Sequence, residues 1–306
     1  MSGTQEGVLQ DGWERFWFTP ESLASLRFVR IGLGVLAACY FATHWADVGY
    51  WFGSEGLLST EQLSRLSQSS EVAGAGRWHL TPLYWIESTL GLRVVLGFGI
   101  AASLLLAAGI GGWGVAALTW LILLAVVARA WVIAGLAEVP LVVGLFGLAI
   151  AASGVGVRQR WEGRRWSGGG FARRLLEIHI AAIVGFTALT QLAAETWWNG
   201  EGALQLVLPQ DGPTLELASL GNSQLLTAAL THLIVWLPIV AVPLLWLPGR
   251  GTANPPRLRR IAAGALIAHA LVLGVLSGHL LYEAANAVLL SLFLLPRGAG
   301  GLEHGE

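Results

Sequence analysis

Seven apolar runs set the terms for this chain: Leu23 to Phe41, Leu90 to Ile110, Trp113 to Trp131, Leu136 to Ala152, Leu175 to Ala194, Leu226 to Leu247 and Ile261 to Leu281. A helix needs roughly 20 mostly apolar residues to cross a bilayer, and these runs are of that order. A further stretch, Ala284 to Leu295, is short: an eighth span, a re-entrant piece, or the seventh helix continued past a kink near Gly278. The third and fourth runs are separated by almost nothing, which makes a tight hairpin if both cross. The expected fold is an all-α, polytopic integral membrane bundle of seven to eight spans. A single transmembrane domain would occupy residues 1–306.

Composition agrees with a lipid environment. Mean hydropathy is +0.63, 55% of residues are hydrophobic and 12% are charged, against about a quarter charged in soluble domains. The formal charge of -1 gives no basic footprint, so nucleic acid is not an expected partner. Every basic side chain is arginine, which removes lysine Schiff-base or lysine general-base chemistry. With one cysteine, Cys39, the chain makes no internal disulfide, CxxC pair or thiolate cluster. Cys39 itself reads as a small buried residue. Residues 1–22 do not look like a signal peptide; Trp13, Phe16, Trp17 and Phe18 suit an interfacial lead-in.

Arginine placement orients the bundle. Arg158, Arg160, Arg164, Arg165, Arg173 and Arg174 flank runs four and five, and Arg250, Arg257, Arg259 and Arg260 flank runs six and seven. Both loops are expected on the cytoplasmic side, which places the N-terminus there too. The arginine-poor loop after run five, with Glu195, Glu201, Asp211 and Glu216, is then outside, as is the loop after run one. Residues 45–88 and 195–224 are the expected extracytoplasmic loops, in a multi-pass protein of the cell inner membrane.

Those loops carry Trp45, Trp51, Trp78, Trp85, Trp197, Trp198, His44 and His79. They read either as an aromatic belt or as a tryptophan-lined cap over an outward-facing cavity. Within the membrane, polar groups are costly and usually face the bundle interior or water. On a helical wheel Glu177, Val184, Thr187, Gln191 and Glu195 share one face of run five, while His179 and Thr190 lie off it. His279, Glu283 and Asn286 stand at i, i+4 and i+7, one face if that helix is continuous. A histidine with a carboxylate one turn on is a proton-handling pair or a satisfied buried histidine. No HExxH, CxxC or DxxD pattern suggests a metal. GIGGWG and WSGGG, with no strand before them, read as turns, and the arginines from Arg158 to Arg174 as a positive anchor attractive to anionic headgroups.

Three segments carry a resemblance: RFVRIGLGVLAACYFATHWADVGYWFGSEGLLS, VARAWVIAG and LLEIHIAAIVGFTALTQLAAETWWNGEGAL. Together they resemble the horizontally transferred transmembrane domain family, related to vitamin K-dependent gamma-carboxylase. Its fifth-span signature places His179, Phe186, Gln191-Leu192 and Trp198-Asn199-Gly200 in corresponding positions, with Gln191 where the family has lysine. The resemblance assigns that lysine to deprotonating the vitamin K hydroquinone, and an amide is no base. The carboxylase's long lumenal portion is also not matched. The resemblance therefore implies a carboxylase-like protein without gamma-carboxylase activity, whose bundle still holds a quinone, lipid or peptide. Small bacterial relatives in the sporulation-delaying toxin system point to peptide maturation.

Three functions follow: processing, modification or export of a secreted peptide or lipid-like substrate; a non-catalytic membrane subunit that binds a partner; or, with no internal repeat in support, a transporter. No cofactor is assigned. The expected cavity draws on His44, His79, His179, Gln191, Glu195, Trp197, Trp198, His279 and Glu283, with Gln191 at its floor and Trp197 or Trp198 at its rim.

Overall fold

The computed structural model describes residues 12–19, 21–22, 26–68, 81–133, 135, 137–152, 165–207, 223–247 and 256–295. The architecture is helical. In chain order the elements are α1 (12–18), α2 (Arg27–Thr43), α3 (Val48–Phe52), α4 (Thr60–Gln68), α5 (Thr89–Ala108), α6 (Gly112–Arg129) and α7 (Glu138–Ala152). They continue with α8 (Ser167–Leu192), α9 (Glu195–Trp198), α10 (Gly202–Val207), α11 (Gln224–Leu244), α12 (Arg257–Ser277) and α13 (Leu280–Leu290). Short 3-10 turns cover Pro82–Trp85 and Ser291–Phe293. Among the described residues the strand pairing is a two-residue antiparallel match of Glu21–Ser22 with Arg165–Trp166.

Five helices are long and apolar enough to cross a membrane: α5, α6, α8 over Gly169–Leu192, α11 and α12. Two shorter apolar helices accompany them, Glu138–Ala151 and Leu280–Phe293. The first apolar run forms the 17-residue α2.

The described residues gather into two compact units, one built from Met1–Val29 with Ile150–Glu306 and the other from Arg30–Ala149. In the smaller unit α5 and α6 pack as a hairpin. Its GIGGWG corner needs glycine, because Gly109 and Gly111 hold φ of 81° and 80°, a region where a Cβ collides with the backbone. Thr81 pins the preceding loop by donating to the Ala125 carbonyl at 3.0 Å. Tyr40 of α2 donates to Glu138 Oε1 of α7 at 3.1 Å.

In the larger unit α8 packs on α11, α11 on α12, α12 on α13 and α13 back on α8, which closes a ring of helices. Gly278, at φ 75°, ends α12 and reverses the chain. Arg259 near the start of α12 reaches the Phe293 ring just past α13, 5.1 Å from its centroid, so the two helices run antiparallel. Among the sequence alternatives for Ala284 to Leu295, a continued seventh helix is therefore ruled out; the segment is the returning arm of a hairpin.

Two readings of local sequence need correction. WSGGG is not a turn, since Ser167 to Gly170 are the first residues of α8. Gly170 lies so close to the Thr19 carbonyl that a Cβ would overlap it, so a glycine selected for close approach was read as a helix breaker. Cys39 is exposed on α2, not buried. Cys39 follows Phe28, Ile31 and Val35 at helical spacing along the exposed face of α2.

Candidate functional site

Inside the ring of the larger unit, polar side chains collect at two levels. Near the start of α8, Glu177 is fully buried and accepts from three guanidiniums: Arg173 Nε at 3.1 Å, Arg174 Nη1 at 2.7 Å and Arg259 Nη2 at 3.2 Å. Arg173 Nη2 also donates to the carbonyls of Leu292 and Leu295 at 2.7 and 2.8 Å, satisfying groups that the 3-10 end of the hairpin leaves without helical donors. Arg174 Nε donates to the Phe16 carbonyl at 3.1 Å and its guanidinium lies 4.9 Å from that ring, which ties α1 to the cluster. These groups are used in holding α1, α8, α12 and the chain's last 3-10 turn together.

Farther along α8 the ring encloses a small cleft to which all four helices contribute. Its polar lining is Thr187 and Gln191 from α8, His269 from α12, and Tyr282, Glu283 and Asn286 from α13, with Pro238 contributed by α11. Its volume is about 30 Å³, room for one or two waters or a single polar head group rather than a whole substrate.

The proline explains the histidine. Residue 238 has no N–H, so the Ile234 carbonyl one turn earlier loses its helical donor. His269 Nε2 supplies the replacement at 3.0 Å. A carbonyl only accepts, so Nε2 carries hydrogen, and in the neutral ring Nδ1 is then an acceptor.

Asn286 is oriented the same way. Its Nδ2 donates to Glu283 Oε2 at 3.2 Å, leaving Oδ1 as its remaining acceptor. Asn286 is 2% exposed, and Oδ1 has no hydrogen-bond partner among the described residues. A buried polar atom left this way costs about 1–3 kcal/mol, enough to require an explanation. Glu283 has no ion pair among the described residues.

The sequence-derived candidates are dispersed by this geometry. Gln191 and Glu283 line the cleft. His179 is turned to its own helix, Nδ1 lying 2.7 Å from the Leu175 carbonyl. Glu195 is exposed at the start of α9. Trp198 is 55% exposed, whereas Trp197 is 8% exposed and belongs to a small core with Ala203, Ile234 and Val235. Thr231 braces that core, accepting from Ala203 N at 3.0 Å and sharing its proton between the Gly200 and Thr227 carbonyls. His279 is exposed at the hairpin corner, before α13 begins, so it does not share a continuous helical face with Glu283. His44 is in the smaller unit, its ring tilted against Tyr40 at a centroid distance of 4.7 Å, with Nδ1 2.9 Å from the Tyr40 carbonyl. His79 lies outside the described residues.

The smaller unit has its own buried cation. Arg129, 1% exposed, donates to Thr60 Oγ1 at 2.9 Å and to the Phe52 carbonyl at 3.1 Å, and lies 5.1 Å from the Tyr84 ring. Burial raises the Tyr84 phenol above its ordinary value while the Arg129 charge pulls it back. Beside Arg129 is a void of only about 10 Å³ with a largely apolar lining, which marks a structural brace. Among the described residues no group of three or more His, Cys, Asp or Glu side chains comes together.

The polar cleft residues missing from the sequence-derived set are Thr187, His269, Tyr282 and Asn286, and Pro238 is missing beside them. Thr187 was visible on the polar stripe of run five; Pro238 inside an apolar run was the signal for a freed carbonyl. Helix lengths and composition define the class, a helical protein fitted to a lipid bilayer by several apolar helices. No family model, curated protein or solved structure matches the chain.

Proposed function

We propose that this chain is a multi-pass inner-membrane protein that binds a peptide or lipid-like amphiphile in the cleft of its larger unit and serves its processing, modification or export. Asn286 Oδ1 carries this reading: a deeply buried acceptor without a partner among the described residues, in a cleft that also presents Gln191 and Glu283. Such groups are retained inside membranes chiefly where they meet a ligand, ion or proton. The resemblance to the carboxylase-related family supports the same role, with Gln191 binding where a lysine would act as base. Seven spans with a cytoplasmic N-terminus would place the Gln191 end of α8 outward.

The test is retention. The full chain, purified in mild detergent, is extracted and its bound molecules are identified by mass spectrometry. Wild type and Thr190→Val should keep an amphiphile that Gln191→Leu and Asn286→Leu lose; equal retention by all four would overturn the reading. Topology is tested in a Cys39→Ala background with single cysteines at Gly163 and Gly212, both outside the described residues. Gly212→Cys should label from outside and Gly163→Cys should not; the reverse would overturn the orientation.

A further inference from the structure

Two polar groups of the cleft are oriented so as to leave acceptors, and Glu283 adds a carboxyl group, while the Tyr282 phenol can donate or accept. His269 spends its Nε2 hydrogen on Ile234 and leaves Nδ1; Asn286 spends an amide hydrogen on Glu283 and leaves Oδ1; Glu283 brings a carboxyl group with no cation beside it among the described residues. Gln191 can donate or accept. A wall of this kind selects a donor, and its one acidic group favours a donor carrying positive charge.

We infer that the ligand is a lipid-like amphiphile headed by a primary ammonium, its three N–H donors shared among Glu283, Asn286 Oδ1 and His269 Nδ1. This rests on the cleft being the binding site, as proposed above. The cleft's small volume admits a head group alone. Thr187 at the edge of the cleft is itself exposed, so the cleft opens to the outside of the bundle there and a tail can leave it along the apolar helix surface. A peptide would bring further backbone N–H and C=O groups for which this volume has no place.

The experiment titrates octylammonium, octanol and octanoate into the full chain in one neutral detergent at neutral pH, by calorimetry. Wild type should bind octylammonium about tenfold or more tightly than octanol, the weight of one charge-assisted hydrogen bond, with octanoate weakest. Glu283→Gln, nearly isosteric, should bring octylammonium to the octanol level; Asn286→Leu should weaken both. Lysophosphatidylethanolamine should compete with octylammonium, and lysophosphatidylglycerol should not.

Failures separate cleanly. If octanol or octanoate equals octylammonium and Asn286→Leu still weakens them, the cleft binds amphiphiles but the ammonium assignment is overturned. Competition by an apolar peptide with a free N-terminus, and not by lysophosphatidylethanolamine, would overturn the lipid assignment. If none of the three probes binds, or both variants bind like wild type, the cleft reading falls and this inference falls with it.

Discussion

Glu177 and Glu283 are carboxylates of the same helical ring in opposite circumstances. Glu177, on α8, is fully buried and held by Arg173, Arg174 and Arg259. Glu283, on α13, takes one hydrogen bond from Asn286, which itself keeps an unused acceptor. Both sites are costly to desolvate. The first recovers that cost from groups the fold supplies; the second, among the described residues, recovers less of it, and the proposed ligand would supply the rest. The difference teaches that a polar residue inside a membrane bundle is informative through its unspent hydrogen-bonding capacity, not through its polarity.

The comparison breaks most readily at the arginines. Arg173→Ala removes a guanidinium from Glu177 and strips the donor from two buried carbonyls, so a loss of about 3–5 kcal/mol is expected, seen as a collapse in thermal stability and folded yield in detergent. A variant that melts near wild type would mean the cluster is not what closes the ring. Gly278→Val comes next, because its left-handed φ penalises a β-branched residue by about 1–3 kcal/mol; melting measures it.

His269→Leu should cost about 1–3 kcal/mol by stranding the Ile234 carbonyl. Pro238→Ala restores the helical donor to that carbonyl, so in a Pro238→Ala background the same histidine change should cost clearly less. A double-mutant cycle with no coupling would remove the proline–histidine argument. Smallest of all is Thr190→Val. Thr190 is exposed, donates only to the Thr187 carbonyl of its own helix and should stay within about 0.5 kcal/mol of wild type.

Much of the helical framework could be read from the sequence, because apolar run length is a direct consequence of bilayer thickness. Each of the seven runs is occupied by a helix, and Gly109 to Gly111 of GIGGWG form the expected turn while Gly112 to Gly114 open α6. The polar face of run five was also visible, and the structure divides it: Glu177 goes to the arginine cluster, Val184, Thr187 and Gln191 to the cleft, and Glu195 to an exposed turn. A helical wheel gives direction but not height or partner. Arg259 is remote in sequence, and nothing local shows that it will share Glu177 with Arg173. The adjacent tryptophans fail for a similar reason. Two indoles side by side look alike, yet Gly202 packs under the Trp197 ring and draws it into a core while Trp198 remains outside. The face joining His279 to Glu283 assumes a helix through both, but His279 is the N-cap of α13, with a non-helical ψ of 47° and an exposed side chain.

The most direct test of the two-carboxylate account is thermal unfolding of a matched pair, Glu177→Gln and Glu283→Gln, purified in the same detergent without added ligand. Each change replaces a carboxyl group by an amide of nearly the same shape. The account predicts a marked fall in melting temperature for Glu177→Gln, whose three guanidiniums lose their common anion, and a Glu283→Gln protein that melts at or above wild type. Equal losses, or a greater loss at Glu283, would contradict it.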